Sequence, residues 1–432
     1  MKVTKEELSA TKRKVAVEIP PAQVQEVVES LYRNLRKTAK VKGFRPGKVP
    51  RNVLQQYYHE YVTEKAVNQL IGDTYPKALS EGSIEPVSPP VIDTEGLLEG
   101  QAFTYTAVVE TLPPLEVNNY KGLKIRGVAA EVVAEDVDRE MLRLQQMYSQ
   151  LTPVEDRDEV VEGDVVVLDF QAFSDGRPVR DATTENHTLE VGSGTMIPGF
   201  EEALIGKKRG IGHEFTITIP DDHSRKDLAG KEVAFKVTIK DIRRKVLPEL
   251  DDEFAKDVGS YKDLGELKSA IEQDIKKAKE RFVREGMRQQ VIDKLIEMNP
   301  LEVPSYLVER RAEELLEEVK FRLKSERREF SQEAEQALRP QYTPAAERDV
   351  KASLLIEQIA RQEDISVSDE DVAAHVEELA RAHGRSADTL KNDIGVMSRV
   401  RRTLQRDNVM DFLINHAEIE WVEAPADEGG KQ

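Results

Sequence analysis

The feature that most constrains the fold is a change of hydrophobic period along the chain. Residues 163–243 contain short apolar runs separated by glycines, as in G-D-V-V-V-L-D-F, and Asp175-Gly176 is a turn signal. That pattern predicts an antiparallel sheet. From about Leu247 to Val422 the apolar residues instead recur every three or four positions, which predicts an almost wholly helical region. The chain is therefore expected to fold into several domains of different character.

Residues 1–112 are predicted to form one α+β domain. Val15, Val17 and Ile19 alternate with other residues in a first strand, and a run of the same period at 103–109 closes the unit. Leu112-Pro113-Pro114 is expected to be the exit to a linker.

Two antiparallel helices are expected between these strands, joined by the loop at 43–50. Pro20 and Pro21 open the first helix, because proline is tolerated in a first turn, and Gly43 is expected to end it as a C-cap. The second helix is expected to begin at about Arg51. Its predicted buried side consists of Leu54, Tyr58, Tyr61, Ala66 and Leu70.

The remaining helices are predicted from the same period and from their end signals. A helix is expected at 131–150, and a longer one at 263–298, which Asn299-Pro300 would stop. Ser368 followed by Asp371 predicts an N-cap with an acidic third position. The apolar stripe expected on the long helix consists of Leu267, Ile271, Ile275, Ala278 and Phe282.

Charge is distributed unevenly along the chain. Residues 1–51 hold 13 Lys and Arg against 5 Glu, whereas acidic residues dominate the remainder and bring the chain to a formal net charge of −18. A basic end before an acidic remainder is typical of a protein whose one end meets a polyanion. A solvated basic helix face would give the same counts.

Several classes of chemistry are excluded by the residues themselves. Without cysteine, the chain has no disulfide, zinc finger of cysteines or cysteine nucleophile. No G-x-x-x-x-G-K-[ST] loop occurs, and the seven histidines lack the spacing of a metal site or a catalytic triad. We expect no cofactor and no metal. Because neither a signal region nor an apolar run of membrane length is present, we expect a cytoplasmic protein without a membrane partner.

The segment 43–50, G-F-R-P-G-K-V-P, is the most informative stretch of the chain. Its glycines and prolines prevent a continued helix, so Phe44 would lie at the tip of a turn, flanked by Arg45 and Lys48. An exposed aromatic ring among cations suits docking, since cations meet phosphates while the ring fills a protein pocket. A plain turn with Phe44 folded back onto its own helices is the alternative. The other nearby cations are Arg33, Arg36, Lys37, Lys40, Lys42 and Arg51.

This octapeptide, placed after a basic helix, resembles the ribosome-binding signature of the bacterial trigger factor family. The order of domains resembles that family over essentially the whole chain. The resemblance implies that Phe44, Arg45, Pro46, Gly47 and Lys48 bind the ribosome near the nascent-chain exit, through a ribosomal protein and nearby rRNA. It also implies a chaperone that shields unfolded nascent polypeptides without ATP and that forms a weak homodimer off the ribosome.

Residues 163–243 resemble the FKBP prolyl isomerase fold. The resemblance is carried by V-G-S-G-T-M-I-P-G-F-E-E-A-L-I-G at 191–206, by Asp175-Gly176 and by L-A-G-K-E-V-A-F at 228–235. Such catalysis needs no nucleophile, acid or metal, because a dry aromatic pocket favours the twisted amide at the top of a barrier of about 18–20 kcal/mol. The resemblance implies a pocket with Phe200 as its floor, formed by Phe170, Met196, Ile197, Phe200 and Phe235.

Three positions depart from the FKBP pattern. Val179 lies where that family usually has an aromatic residue, and His187 and His223 replace aromatic pocket residues. A smaller and more polar pocket should bind proline less tightly, so we expect an isomerase activity that is present but weak. A scaffold that binds apolar peptide without catalysis is the alternative.

The resulting fold class is α+β and multidomain. The expected domains are a ribosome-binding domain with a helical hairpin at 1–112, a linker and first part of the C-terminal domain at 113–157, an inserted FKBP-type antiparallel β-sheet domain at 158–245, and a chaperone domain with long helices and arms at 246–432. A surface between the arms could hold unfolded segments through many weak contacts. A bundle whose apolar stripes all face inward fits the same pattern.

Three functions are compatible with these features. The first is a ribosome-associated chaperone with an accessory isomerase. The second is a dedicated FKBP-type isomerase whose helical regions target or dimerise it, and the third is a structural adaptor without catalysis. The basic loop at 43–50 favours the first function, because a free isomerase has no use for it.

Overall fold

The computed structural model describes residues 1–45, 47–221, 225–226, 228–326 and 330–422, apart from the side chains of Arg180, Asp181 and Gln332. The chain divides into two compact units. The first contains Met1–Val128 together with the chain from Arg284 onward, and the second contains Ala129–Val283.

Strands predominate between residues 150 and 246, and helices predominate after residue 246, as the sequence predicts. The helices of the described residues are α1 (Pro21–Thr38), α2 (Arg51–Gly82), α3 (Ala134–Met147), α4 (Phe200–Leu204), α5 (Asp252–Val258), α6 (Leu264–Met298), α7 (Ser305–Ser325), α8 (Gln332–Gln362), α9 (Asp369–Ala382), α10 (Ala387–Lys391) and α11 (Ile394–Asn415). The strands are β1 (Lys2–Glu7), β2 (Lys12–Ile19), β3 (Val91–Thr94), β4 (Phe103–Glu110), β5 (Lys124–Val128), β6 (Gln150–Pro153), β7 (Asp164–Ser174), β8 (Arg177–Glu190), β9 (Gly212–Thr218), β10 (Glu232–Val246) and β11 (Glu418–Val422). Among the helices of the described chain, none is both long enough and apolar enough to cross a membrane.

Strands β1 to β4 form an antiparallel sheet in the order β1-β2-β4-β3. Val15, Val17 and Ile19 of β2 are fully buried, as the alternation of side chains along a strand requires when one face packs on a core. Strand β4 lies beside β2, with Tyr105 opposite Val17. The sequence analysis predicted these two central strands but neither of the edge strands β1 and β3.

Helix α1 ends earlier than the sequence predicts. Its last residue is Thr38, and the backbone N–H of the C-cap Ala39 donates to the Leu35 carbonyl at 2.7 Å. The prediction that Gly43 caps this helix is therefore wrong. Gly43 lies in the following turn with φ of +90°, a left-handed value that glycine adopts without a steric penalty.

Helix α2 begins at Arg51 as predicted, but one of its expected buried residues is wrong. Tyr61 is 51% exposed, whereas Val62 is buried. The buried positions follow Leu54 at intervals of four residues, and side chains four apart share a helix face. Tyr61 falls one position outside that series. Tyr58 has non-helical φ and ψ of −132° and 18°, which marks a kink in the helix.

The C-terminal part of the first unit contains α7 to α11. Helix α7 begins at Ser305, and Val308 and Ala312 pack in one buried cluster with Ala346 of α8. The expectation that the chain is helical up to residue 422 is wrong at its end. Strand β11 pairs in parallel with β5, with Trp421 opposite Gly127, and five residues are too few to reveal a strand by their period.

The sheet of the second unit contains β6 to β10 in the order β6-β10-β7-β8, and β9 pairs with the first half of β10. All of these pairs are antiparallel, as the glycine-separated pattern predicts. Strand β6, which pairs with the end of β10, was not predicted. The short helix α4 lies at Phe200–Leu204, before β9.

Helices α3, α5 and the first part of α6 share a second core in this unit, which contains Met141, Phe254 and Leu267. Helix α6 ends at Met298, as predicted. Phe282, expected on the buried stripe of that helix, is instead 82% exposed. Helical spacing only determines which residues share a face, and that face is buried only where another element covers it.

Candidate docking tip and candidate peptide pocket

The segment between α1 and α2 is anchored at both ends and exposed in its middle. Val41 and Val49 are buried in the core of the N-terminal sheet and helices, whereas Phe44 between them is 41% exposed. Gly43 and Gly47 have φ of +90° and +80°, so the two glycines allow the chain to turn on each side of the ring. We name residues 43–45, 47 and 48 the docking tip.

Backbone hydrogen bonds hold the docking tip in place. The N–H of Phe44 donates to the carbonyl of Val41 at 3.1 Å, and the N–H of Lys48 donates to the carbonyl of Arg45 at 3.0 Å. The N–H of Gly47 donates at 3.0 Å to the carbonyl of Arg36, which belongs to the last turn of α1, where carbonyls have no partner within the helix. The docking tip is therefore bonded to the C-terminal turn of α1.

The cations close to Phe44 along the chain have no ion-pair partner among the residues that the structure describes. Arg45 and Lys48 are exposed, and neither forms an ion pair with another residue that the structure describes. Pro46, which the sequence analysis included in the same site, lies outside the described residues. Five cations of α1 and the segment after it are likewise exposed and without a carboxylate partner among the described residues: Arg33, Arg36, Lys37, Lys40 and Lys42.

Arg51 differs from these cations. Its guanidinium carbon lies 3.3 Å from the centroid of the Tyr32 ring. Its Nη2 atom pairs with Glu29 at 3.2 Å and with Glu99 at 3.4 Å. The sequence places Arg51 among the cations near Phe44, but its guanidinium is already paired with two carboxylates of the same domain.

A cluster of phenylalanines lies at the centre of the sheet in the second unit. Phe200 is fully buried. The rings of Phe170, Phe215 and Phe235 lie around it at centroid distances of 5.6, 5.4 and 5.1 Å. The ring planes meet the Phe200 plane at 67°, 70° and 83°, which is the edge-to-face geometry that aromatic pairs favour.

The structure brings together all five residues that the sequence analysis placed in the pocket. Phe200 and Phe235 are buried, and Phe170, Met196 and Ile197 are partly buried against the same core. Three partly accessible apolar side chains over a buried ring form a surface on which an apolar peptide side chain could pack. Across the described residues, no group of three or more His, Asp and Glu side chains is placed to hold a metal ion.

Sequence reasoning missed Phe215, which is stacked on Phe235 at a centroid distance of 6.0 Å. Its alternation with Ile217 in the run H-E-F-T-I-T-I is the signal that could have found it. Val179 is buried in the same core, and the ring of His187 meets Phe170 edge-on at 5.7 Å. His223, the third departure from the FKBP pattern, lies outside the described residues.

A buried carboxylate orders the loop that precedes α4. Glu201 is 4% exposed and accepts hydrogen bonds from the backbone N–H groups of Gly192 at 2.8 Å, Gly194 at 3.0 Å and Met196 at 3.0 Å. Burial by itself would raise the pKa of Glu201, but the backbone donors and the Ser193 hydroxyl outweigh it and hold the pKa below its usual value. The loop that carries Met196 is therefore held by one ionised side chain.

Family models match three successive parts of the chain. Residues 1–144 match the model described as bacterial trigger factor protein, and residues 263–415 match the model of the bacterial trigger factor protein C-terminus. Between them, residues 157–240 match the model of FKBP-type peptidyl-prolyl cis-trans isomerases.

Full-length relatives show the same relationship. The chain is 36% identical over 429 residues to the trigger factor of Geotalea uraniireducens, an alignment that covers 98% of this chain and 99% of the relative. It is 36% identical over 427 residues to that of Geobacillus kaustophilus, with 97% and 100% covered. A solved structure described as "Promiscuous Substrate Recognition in Folding and Assembly Activities of the Trigger Factor Chaperone" matches with a TM-score of 0.51 and 24% identity over 96% of this chain and 99% of the other, which supports the fold.

The fold and these matches define a multidomain α+β chaperone with an FKBP-type domain. The chain belongs to the bacterial trigger factor family. The predicted fold class is thereby confirmed. A dedicated isomerase with targeting or dimerising helices is set aside, because trigger factor models match the chain on both sides of the FKBP-type domain.

Proposed function

We propose that the docking tip attaches this chaperone to the ribosome near the nascent-chain exit. Phe44 would enter a pocket of a ribosomal protein, while Arg45 and Lys48 would lie beside rRNA phosphates. Gly47, with its left-handed φ, would shape the turn, and Pro46 is assigned to the site on the sequence alone. The observation that carries the proposal is the exposure of Phe44, an aromatic ring that is 41% exposed although the residues on both sides lead into the core.

The physical gain comes from covering that ring. Burying apolar surface contributes about 25 cal/mol per Å², and aromatic anchors of this kind often dominate an interface. Since Arg45 and Lys48 have no carboxylate partner among the described residues, neither has to give up an ion pair before it meets a phosphate. The attachment should therefore weaken steeply as salt rises.

Co-sedimentation with ribosomes tests this role. Joint replacement of Phe44, Arg45 and Lys48 by alanine is expected to abolish pelleting with ribosomes. The matched control replaces Leu98, Lys2 and Lys77 by alanine. These substitutions remove one exposed apolar side chain and two exposed cations from the same domain. The control should pellet like the unaltered chain, and equal pelleting of the triple tip variant would contradict the proposal.

We also propose that the FKBP-type domain catalyses the cis-trans isomerisation of X-Pro bonds. Phe200 is the floor of the proposed site, and Phe170, Met196, Ile197 and Phe235 are its walls. A proline ring packed on this apolar surface would leave its amide away from water, which favours the twisted form of the bond. The carrying observation is the edge-to-face packing of three rings on the buried Phe200.

The isomerase activity is expected to be weak, because Val179 and His187 stand where aromatic residues would enlarge the apolar surface. The same effect is expected of His223 on the basis of the sequence alone. Proline turnover in a short peptide tests both statements. A rate equal to the uncatalysed one would leave the domain as a peptide-binding scaffold. Replacing the partly exposed His187 by Phe should raise kcat/KM several-fold, about the effect of one further aromatic contact.

We further propose that the helical regions shield unfolded nascent polypeptides without ATP in the cytoplasm, and that the free chaperone forms a weak homodimer. In this organisation 1–112 docks, 158–245 isomerises, and 113–157 with 246–432 hold the client. A chain that lacks residues 160–243 should still suppress aggregation of an unfolded test protein. Loss of that protection would assign chaperoning to the FKBP-type domain instead. Sedimentation equilibrium at rising concentration tests the dimer.

A further inference from the structure

Arg51 lies at the base of the docking tip and contacts two other parts of the N-terminal domain, α1 and the segment between β3 and β4. It is the first residue of α2. Its guanidinium lies 3.3 Å from the ring centroid of Tyr32 in α1. Its Nη2 atom pairs with Glu29, also in α1, at 3.2 Å, and with Glu99, between β3 and β4, at 3.4 Å.

These contacts fix the orientation of a planar group. The Tyr32 ring is 1% exposed, so the surface that supports the guanidinium is part of the core. The Nε atom of Arg51 donates to Glu29 at 3.2 Å, and its Nη1 atom is buried without a hydrogen-bond acceptor among the described residues. A guanidinium that is stacked on one face and bonded at its edge keeps one direction.

Glu99 extends the same arrangement along α2. Besides Arg51 it accepts a hydrogen bond from Gln55 at 3.1 Å, and it lies 3.9 Å from His59. Glu99 thus contacts α2 at successive turns, because residues four apart share a helix face. The start of α2 is held from two sides, by α1 and by the segment before β4.

The chain between Arg51 and the docking tip is short and constrained. Pro50 precedes Arg51 with φ of −64° and ψ of 151°, and Val49 is fully buried. A change in the orientation of the start of α2 would therefore move Lys48, whose N–H is bonded to the carbonyl of Arg45 beside Phe44. Loosening Arg51 would change the direction in which the ring is presented.

We propose that Arg51 is a positioning residue for docking: it fixes the direction of the docking tip without itself contacting the ribosome. The proposal rests on the docking role proposed above for Phe44, Arg45 and Lys48. A pre-organised tip loses less conformational freedom when it binds, so affinity falls when the tip is loosened.

The first test is the variant Arg51→Lys, which keeps the charge but loses the planar fork and the stacking. Its affinity for ribosomes is expected to fall about tenfold. For Arg51→Gln, which also removes the charge, the slope of log affinity against log salt should stay unchanged, since a residue that contacts no phosphate releases no counterion. Lys48→Ala should instead reduce that slope by about 1. A slope reduced by about 1 for Arg51→Gln would identify a phosphate contact and overturn the proposal.

A double-mutant cycle shows whether Arg51 acts through the ring. Phe44→Leu weakens the contact without removing it, and the two substitutions together should cost less than the sum of their separate effects. Additive losses would mean that Arg51 acts independently of Phe44, which the proposal does not allow.

Arg13→Lys is the matched control, because Arg13 pairs with Glu7 at 3.3 Å in the same domain but on the sheet. It should leave ribosome affinity unchanged. Hydrogen exchange at the N–H groups of Phe44 and Gly47, measured without ribosomes, should speed up several-fold in Arg51→Lys and not in Arg13→Lys. Unchanged exchange, or a lower melting temperature with full affinity, would refute the positioning role. Failure of the unaltered chain to pellet would instead refute docking itself.

Discussion

The carboxylate of Glu110 at the end of β4 caps helix α7, whose first residue Ser305 comes 195 positions later: the Ser305 hydroxyl donates to Glu110 at 2.6 Å. The N–H of Tyr306 donates to the second oxygen of the same carboxylate at 2.9 Å. The residue before the helix, Pro304, has no side chain that could accept these bonds. A negative charge at a helix N-terminus is favourable, so one glutamate ties the N-terminal sheet to a helix of the C-terminal region.

Glu110→Ala is expected to lower the free energy of unfolding of the first unit by about 1–3 kcal/mol, because two donors at the start of α7 lose their acceptor. The free energy of unfolding of Glu110→Gln should lie between those of the unaltered chain and Glu110→Ala, since an amide oxygen still accepts a hydrogen bond but carries no charge. Urea unfolding followed by circular dichroism measures the effect. Glu85→Ala, at an exposed position of the same domain, is the control, and equal stabilities of all variants would show that the contact contributes nothing.

The lowered pKa of Glu201 predicts that the order of the loop before α4 depends on pH. Its pKa is lowered in the folded state, so its stabilising contribution is fully present above the ordinary glutamate value of about 4.3 and is lost as pH falls through the lower folded pKa. The protection of the Gly194 and Met196 N–H groups against hydrogen exchange, taken relative to their intrinsic rates at each pH, should therefore fall in acid. Glu201→Gln should show faster exchange at neutral pH already, whereas the exposed neighbour Glu202→Gln should match the unaltered chain.

Substitution of Phe200 should reduce isomerase activity without reducing chaperone activity. Phe200→Leu keeps an apolar side chain but loses three edge-to-face contacts, each worth about 0.5–1.5 kcal/mol, and should lower kcat/KM for a proline peptide at least tenfold. Suppression of aggregation should persist, because the helical regions are unaltered. Phe173→Leu, a partly buried ring on the same sheet outside the cluster, is the control. Full turnover by Phe200→Leu would remove Phe200 from the proposed site.

Substitution of Gly127, where β5 pairs with β11, should change the tryptophan fluorescence of the protein. A Cβ at this position would lie 2.8 Å from two carbons of the Trp421 ring, closer than packed atoms approach, so Gly127→Ala should displace the ring. Because Trp421 is the single tryptophan of the chain, its fluorescence emission reports the displacement directly. Gly72→Ala, which meets nothing within 4 Å inside α2, should leave emission unchanged. An unaltered spectrum of Gly127→Ala would contradict the close packing.

Local patterns predicted the elements that local physics determines. The strand at β2 and the end of α6 before Asn299-Pro300 follow from side-chain period and from proline, which act within a few residues. The same holds for the N-cap at Ser368, whose hydroxyl accepts the N–H of Asp371 at 3.0 Å. The pocket residues came from the resemblance to the FKBP fold rather than from any period.

What the amino-acid sequence alone determined was the order of strand-rich and helical regions, the turn at 43–50 and the excess of positive charge around it. Only the tertiary structure decided which of those charges are free: Arg51 is engaged by Glu29 and Glu99, while Arg45 and Lys48 have no carboxylate partner among the described residues. The cap that Glu110 provides to α7 was likewise decided only by the tertiary structure. The physical reason is that ion pairs, helix caps and strand pairs depend on distance in space, and a sequence period reports only neighbours along the chain.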